Sequence, residues 1–136
     1  MQINPYLNFN GKCEAALKFY EKALGGKVAF KMTYGESPMA KDTPKEHHKQ
    51  ILHARFVVGD NVLMASDSPP DRYAEPKGLT IALNVDTPKE AERVFASLSE
   101  KAAVCMPLQE TFWALRFGML TDQFGIPWMI NCEKKD

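Results

Sequence analysis

The sequence predicts an α+β fold built from two βαβββ modules. Three observations predict it: an internal repeat, the same order of one helix and four strand-like runs in each half, and a length of 136 residues that suits one domain. The repeat pairs LNFNGKCEAALKFY with LNVDTPKEAERVFA, 76 positions further on. We therefore expect a single domain over residues 1–136, with internal modules at 1–67 and 78–133.

The first module begins with the strand-like run INPYLNF, and a helix is predicted next because apolar residues from Cys13 to Leu24 recur at helical spacing. The pair Gly25-Gly26 supplies a left-handed stop for that helix. Residues 35–49 are polar and contain two prolines and two adjacent histidines, so they are predicted to be an insertion loop. The remaining strand candidates are KVAFKMTY, ILHARFVV and NVLMASD.

The second module repeats this order, starting with the strand-like run LTIALNV. Its helix has a clear start, because Thr87, Pro88 and Glu90 provide the cap hydroxyl, the first-turn proline and the third-position acid of a capping box. Asp122 and Gly125 are predicted to form the turn before the last strand. The strand candidates after the helix are AAVCMPL, FWALRFGML and PWMINC.

Six identities in register support a duplication of the module. Near the last strands the offset falls from 76 to 65, which aligns Met64 with Met129, because the first module has the longer insertion loop. At the offset of 76 the matched pairs are Leu7 with Leu83, Asn8 with Asn84, Glu14 with Glu90, Ala15 with Ala91, Phe19 with Phe95 and Val28 with Val104.

Composition excludes several classes of function. Lysine plus arginine equals aspartate plus glutamate at 17 each, so no global field favours nucleic acid or an anionic membrane. No 18-residue apolar run and no signal-peptide pattern are present in the sequence. The odd number of cysteines, 3 without C-x-x-C spacing, argues against disulfides or a zinc knot. We expect buried, unreactive thiols and a cytoplasmic location.

Four phrases carry a resemblance to a known family: PYLNFNG, EAALKFYEKALGG, HARFVVGDNVLMASD and TFWALRFGMLTDQFGIPWMINCE. They resemble the PhnB-like branch, also labelled 3-demethylubiquinone 3-methyltransferase-like, of the vicinal oxygen chelate superfamily. That superfamily holds glyoxalase I, bleomycin-resistance proteins and extradiol dioxygenases. The resemblance implies that the two βαβββ modules form a curved eight-stranded cup and that the protein is a homodimer. Since no glycine-rich loop lies between a strand and a helix, a nucleotide cofactor is not expected.

The resemblance also allows the metal ligands of the superfamily to be transferred to this chain. In metal-dependent relatives each module supplies one ligand near the start of its first strand and one on its last strand. These places hold Asn4 and Met64 in the first module and Thr80 and Met129 in the second. Amide, hydroxyl and thioether groups do not form a site for a divalent ion that prefers imidazole, carboxylate or thiolate. We expect no metal and no other cofactor.

Alternation along the strands predicts which residues line the cup. Among the candidates, Phe112 and Trp113 offer a stacking wall for a planar ligand, and Arg116 offers a partner for a carboxylate or phosphate. His53 opens its strand and is a candidate general base. The full set of predicted lining residues is Tyr6, His53, Met64, Ser66, Phe112, Trp113, Arg116, Met129 and Asn131.

Structural roles are the alternatives for the same residues. Methionines and aromatic residues at strand spacing are typical of plain core. The structural alternative for His53 is a hydrogen-bonded histidine, which the notion of a general base must displace; for Trp113 it is packing between sheet and helix, and for Arg116 it is pairing with a local acid. His47 and His48, with Glu46, are expected to be solvated loop residues.

Three functional hypotheses follow. The leading one is a metal-independent binding protein, or an enzyme of undefined reaction, that holds a small molecule of unknown identity in a metal-free cup. The second is a divalent-metal-dependent enzyme of the glyoxalase or dioxygenase type, which would use His53 together with Glu46, His47 or His48. The third is a dimeric structural module whose cup is filled by its own side chains.

Overall fold

The computed structural model describes residues 1–135 and places them in two compact units, one spanning Met1–Ala74 and the other beginning at Glu75. Each unit holds one α-helix and one mixed four-stranded sheet. The predicted α+β class and the two βαβββ modules are therefore confirmed. The eight strands form two four-stranded sheets. A single domain over residues 1–136 stays a prediction, and Asp136 lies outside the described residues.

The first unit follows the predicted order of elements. Its sheet has the strand order β1-β4-β3-β2, in which β1 runs parallel to β4 and the other neighbours are antiparallel. The insertion loop contains two short 3-10 turns, Ala40–Asp42 and Lys45–His47. The elements are β1 Tyr6–Phe9, α1 Cys13–Leu24, β2 Lys27–Thr33, β3 Ile51–Val58 and β4 Asn61–Asp67.

The second unit repeats this topology with the strand order β5-β8-β7-β6, in which β5 runs parallel to β8. Its helix starts where the capping box predicts, because the Thr87 hydroxyl accepts a hydrogen bond from the backbone N–H of Glu90 at 3.1 Å. The elements are β5 Ile81–Asn84, α2 Pro88–Leu98, β6 Ala103–Gln109, β7 Ala114–Thr121 and β8 Pro127–Glu133.

One helix covers one face of each sheet and builds the core of its unit. The apolar side of α1 is buried against β2, β3 and β4, and the helix ends at Gly25, whose φ of 77° is left-handed. The apolar side of α2 packs on β7 and β8, where Gly118 leaves room for the Phe95 ring; a Cβ at Gly118 would lie 2.6 Å from that ring. The buried helix residues are Cys13, Ala16, Leu17, Tyr20, Ala23, Ala91, Val94 and Leu98.

The carboxylate of Asp67, at the end of β4, holds three elements of the first unit together. The residue before α1, Lys12, makes no side-chain cap, and Asp67 Oδ1 instead accepts a hydrogen bond from the Cys13 backbone N–H at 3.0 Å. Asp67 Oδ2 accepts from the Ile51 N–H at the start of β3, at 2.9 Å. The side chain is only 2% exposed, so both bonds form away from water and tie the start of α1 to β3 and β4.

A second buried carboxylate, Asp122, organises the turn before β8. Its Oδ1 accepts hydrogen bonds from the backbone N–H groups of Phe124 and Ile126, and its Oδ2 accepts from Trp128 Nε1 at 2.8 Å. Gly125 has a φ of 88°, which the turn requires. The prediction that Asp122 and Gly125 form this turn is confirmed, and Trp128 is fixed in the core.

All three cysteines are free thiols, but they are not all buried. Burial raises the pKa of the Cys13 thiol, and the charge of Asp67 raises it further, so this thiol stays protonated. Cys132 is also buried, whereas Cys105 is exposed because it lies on the edge strand β6. The expectation of a buried thiol is therefore wrong for Cys105. Within residues 1–135, neither α-helix has the length and apolar character needed to cross a membrane.

The Asp67 carboxylate gives a first test of the fold. Asp67→Ala leaves the buried N–H groups of Cys13 and Ile51 without acceptors, and we expect the free energy of unfolding to fall by about 3 kcal/mol. Urea denaturation measures this change. Asp71→Ala removes an exposed loop carboxylate and is the matched control, with an expected change below about 0.5 kcal/mol. Equal effects in the two variants would contradict the role given to Asp67.

Candidate ligand-binding faces

Each sheet has one face that its own helix does not cover, which we call the helix-free face. Strand β1 shows the division, since Leu7 and Phe9 are buried while Tyr6 and Asn8 are exposed. Residues directly opposite each other on paired strands share a face, so the register assigns the remaining positions. The helix-free face holds Tyr6, Asn8, Phe30, Met32, His53, Arg55, Met64 and Ser66 in the first sheet, and Ala82, Asn84, Met106, Phe117, Met119, Met129 and Asn131 in the second.

A row of four residues crosses the helix-free face of the first sheet from edge to edge. Tyr6 lies opposite Met64, Met64 lies opposite Arg55, and Arg55 lies opposite Phe30. Neighbouring strands are about 4.8 Å apart, so side chains in such a row contact their neighbours. The row therefore combines two aromatic rings, a thioether and a guanidinium group on one surface.

Tyr6 and His53 form a hydrogen-bonded pair on this face. The Tyr6 hydroxyl lies 3.0 Å from Nδ1 of His53, and the two rings stack with centroids 5.7 Å apart. The Phe30 ring lies on another side of His53, at a centroid distance of 6.2 Å. A phenol in contact with an imidazole can pass a proton between the two rings. The structure thus brings together Tyr6, His53 and Met64 from the predicted lining, and Ser66 lies on the same face opposite Asn8.

The equivalent row in the second sheet has a different chemistry. Ala82 lies opposite Met129, Met129 lies opposite Met119, and Met119 lies opposite Met106. Three flexible thioethers in a row form a soft apolar surface that adapts to the shape of a partner. The register makes Met119 the equivalent of Arg55 and Ala82 the equivalent of Tyr6.

A pair of amides borders this apolar row. Asn131 Nδ2 donates a hydrogen bond to Asn84 Oδ1 at 3.0 Å, and the two residues lie opposite each other on β8 and β5. Asn131 is only 8% exposed, and its Oδ1 is a buried atom without a hydrogen-bond partner among the described residues. Since unpaired buried polar atoms cost free energy, this acceptor favours a donor supplied from outside the chain.

Three aromatic rings cluster at the start of β7. Phe112 and Trp113 meet edge to face with centroids 4.8 Å apart, and Trp113 meets Phe117 in the same way at 5.1 Å. Trp113 is 41% exposed and Phe112 is 89% exposed, so both rings offer surface to a ligand. The alternative that Trp113 packs between sheet and helix does not describe its contacts, because its ring partners are Phe112 and Phe117.

Arg116 lies on the opposite face from Met129 and Asn131. It is opposite the buried Cys132, and its Nε lies 3.3 Å from Oε1 of Glu92 on α2. Its guanidinium group also donates to the Leu115 carbonyl at 2.7 Å. These contacts match the alternative in which Arg116 pairs with a local acid, here Glu92. The arginine that does lie on a helix-free face is Arg55, which was not among the predicted lining residues although it is two residues from His53 on the same strand.

At the positions that correspond to the metal ligands of the relatives, the side chains either make other contacts or lack a donor group that suits a divalent ion. Asn4 Nδ2 donates to the Val62 carbonyl at 3.3 Å, while Met64 lies opposite Tyr6 and Met129 lies opposite Ala82. Across residues 1–135, no cluster of three or more His, Cys, Asp or Glu residues could hold a metal ion. The donors present therefore do not fit the divalent ion of the metal-dependent relatives.

The two histidines of the insertion loop are half-buried, which differs from the expected solvated state. His48 Nε2 lies 2.9 Å from the carbonyl oxygens of both Ala40 and Thr43 and so closes the loop on itself. His47 Nε2 lies 3.7 Å from Oε1 of Glu46, and its Nδ1 is buried without a hydrogen-bond partner in the described part of the chain. These contacts give both residues a local structural role.

The Tyr6–His53 contact can be tested directly. Tyr6→Phe removes the hydroxyl 3.0 Å from His53 Nδ1, and we expect the ¹⁵N resonances of the His53 ring to shift while the free energy of unfolding changes by less than about 1 kcal/mol. NMR of ¹⁵N-histidine-labelled protein measures the first effect and urea denaturation the second. Tyr34→Phe is the control, because its hydroxyl bonds the Asp67 carbonyl instead; unchanged His53 resonances in Tyr6→Phe would contradict the contact.

Comparison with known proteins agrees with this architecture. Residues 2–130 match the Glyoxalase/Bleomycin resistance protein/Dioxygenase superfamily. Protein YjdN of Escherichia coli (strain K12) is 35% identical over 143 residues, with 99% of this chain and 97% of YjdN covered.

Two solved structures are similar along their whole length. The crystal structure of PA1353 from Pseudomonas aeruginosa has 48% identity, covers 99% of both chains and superposes with a TM-score of 0.90. A PhnB protein from Bacillus cereus, a candidate 3-demethylubiquinone-9 3-methyltransferase, has 24% identity and a TM-score of 0.82, with 97% of this chain and 99% of that chain covered. The PhnB-like resemblance noted from the sequence is confirmed.

Proposed function

The chain belongs to the glyoxalase/bleomycin resistance/dioxygenase superfamily, and from that premise we propose that it binds a small organic molecule on its helix-free faces without a metal ion. The observation that carries the proposal is the helix-free face of the second sheet, where a row of thioethers and one amide pair lie beside Phe117, whose ring contacts the exposed Trp113. Small-molecule sites combine these two elements, a mostly apolar lining and a few fixed polar groups.

The aromatic cluster supports a planar ligand. Trp113 contacts the rings of Phe112 and Phe117 edge to face and keeps 41% of its surface exposed, so part of its ring remains open to a ligand. Stacking on such a ring requires little reordering of the protein, which reduces the entropic cost of binding. The thioethers of Met119 and Met129 lie beside Phe117 and Asn131 and extend the apolar surface.

The amide pair supports a ligand with a hydrogen-bond donor. The unpaired Oδ1 of Asn131 lies next to the bond that Asn131 makes with Asn84. A donor that reaches this oxygen would satisfy an atom that is otherwise desolvated without compensation. Polar recognition of this kind fixes the orientation of a ligand that stacking alone would leave free to rotate.

Metal independence is supported by the donor chemistry of the first and last strands. The cross-strand pairs between the first and last strands of each module include Tyr6 with Met64 and Ala82 with Met129. None of these four side chains supplies imidazole, carboxylate or thiolate. The imidazole on the first face, His53, is engaged with Tyr6, and the amide of Asn131 on the second is engaged with Asn84.

Trp113 is the residue whose loss should weaken binding most clearly. With the neutral fluorescent probe N-phenyl-1-naphthylamine, we expect Trp113→Ala to raise Kd about tenfold and Trp113→Phe to raise it less, because a smaller ring keeps part of the stacking surface. Both variants should remain folded, since the Trp113 side chain is partly exposed. Fluorescence titration and circular dichroism measure the two quantities.

Phe19→Leu is the matched control for this experiment, because it shortens a half-buried aromatic side chain of α1 outside the aromatic cluster. It should leave the Kd of the probe unchanged. Unchanged binding in Trp113→Ala, or unfolding of that variant, would contradict the role of Trp113 as a binding surface.

Native mass spectrometry tests the absence of a metal and reports bound molecules at the same time. For protein purified without chelators or an affinity metal column and then mixed with one equivalent of zinc, we expect no stoichiometric metal increment, because no suitable donor cluster exists in residues 1–135. A retained organic ligand would add a few hundred daltons. A zinc increment that disappears in His53→Ala would overturn metal-independent binding and favour the metal-dependent enzyme.

The same spectra report the number of subunits. We propose a homodimer, which the resemblance to the superfamily implies. A mass corresponding to one chain at micromolar concentration would contradict it.

A further inference from the structure

We propose that the helix-free face of the first sheet, taken by itself, binds small molecules that carry an anionic group, a carboxylate or a phosphate, through the guanidinium of Arg55. This inference rests on the proposed binding of small molecules by the helix-free faces and names the chemical class that this face takes. It is carried by one juxtaposition: an exposed arginine without an internal partner lies between Met64 and Phe30, on the face that also holds the Tyr6–His53 pair.

The charges on this face are uncompensated. Arg55 makes no hydrogen bond or ion pair with any residue in the described range 1–135, and its side chain is exposed. Lys27, opposite Val57 and therefore on the same face, likewise has no described ion-pair partner. No strand residue of this face is acidic, since Asp67 points to the helix side and bonds Cys13 and Ile51. In a chain with equal numbers of acidic and basic residues, this surface is locally cationic.

The residues around Arg55 suit a ligand with an anionic end and a planar body. A guanidinium group presents two parallel N–H donors that match the oxygen atoms of a carboxylate or phosphate. Phe30 lies directly beside Arg55, and the stacked Tyr6 and His53 rings lie across the same face. An anion held by Arg55 therefore has aromatic surface within reach of its attached group.

The comparison between modules argues against a purely structural reason for the arginine. The backbone of the two sheets is built alike, and Met119 takes the place of Arg55 in the second sheet. The fold at this position thus accepts an apolar side chain. Arg116, by contrast, has a structural role and faces an acid: its Nε lies 3.3 Å from Oε1 of Glu92.

NMR titration of the full-length protein with three small probes tests the proposal. Benzoate, phenyl phosphate and benzamide share an aromatic ring, but only the first two are anionic. We expect the anions to shift the Arg55 Nε–H and the His53 resonances and to bind at least tenfold more tightly than benzamide. In Arg55→Gln this preference should be lost, while Arg55→Lys should retain part of it because the charge remains but the paired donors do not. The lower Kd of benzoate or of phenyl phosphate identifies which anion the face prefers.

Two control variants define the outcomes. Arg93→Gln removes an exposed arginine of α2 and should leave every affinity unchanged. Arg116→Gln tests the other candidate arginine; loss of anion binding there, with Arg55→Gln unaffected, would overturn the proposal. Equal affinity for anions and benzamide would also overturn it while leaving the proposed small-molecule binding intact, whereas failure of the three probes and of N-phenyl-1-naphthylamine would overturn both.

Discussion

The parallel pairing of the first and last strands in each module is the constraint on which the rest of the structure depends. Because β1 pairs with β4 and β5 with β8, the helix that follows the first strand must cross over one face of the sheet. That crossing leaves the other face without cover from its own helix. It also places the two strands that carry Met64 and Met129 beside the strands that carry Tyr6 and Ala82, which sets the composition of each exposed row.

The two modules stabilise the start of their helices in different ways. In the second module the cap is local, because Thr87 bonds Glu90 within the first turn. In the first module the acceptor is Asp67, from the end of β4, and it also bonds the start of β3. The position in the second module that is equivalent to Asp67 is the buried thiol Cys132. Because α2 has its own local cap, it needs no carboxylate from β8. The first helix is thereby tied to its sheet by charge-assisted hydrogen bonds in addition to apolar packing.

The sequence predicted the order of elements because periodicity, capping residues and turn residues are local signals. Starting from the ligand places that the resemblance implies, alternation along the strands also grouped Tyr6, Met64 and Ser66 in the first module and Met129 and Asn131 in the second, and the register puts each group on one face of its own sheet. The position of Arg116 depends on register, because β7 sets Met119 against Met129 and so turns Arg116 toward Glu92. The contact between Tyr6 and His53 joins residues 47 apart in the sequence, and no local pattern reports it.

The exposed rows of the two modules differ although their backbones are built alike. The helix-side positions are constrained by packing, as the match of Leu7 with Leu83 and of Phe19 with Phe95 illustrates, because a change there alters the core. The helix-free positions carry no such constraint from their own helix, and they have diverged from Arg55 to Met119 and from His53 to Phe117.

An exception lies at the end of the first strand, where Asn8 and Asn84 are the same residue on the helix-free face. In the second module this asparagine bonds Asn131, while in the first it lies opposite Ser66. The amide thus remains beside a polar partner in both modules, although the rows beside it have become cationic and aromatic in one sheet and thioether-rich in the other. Packing of each sheet against its own helix does not account for these differences.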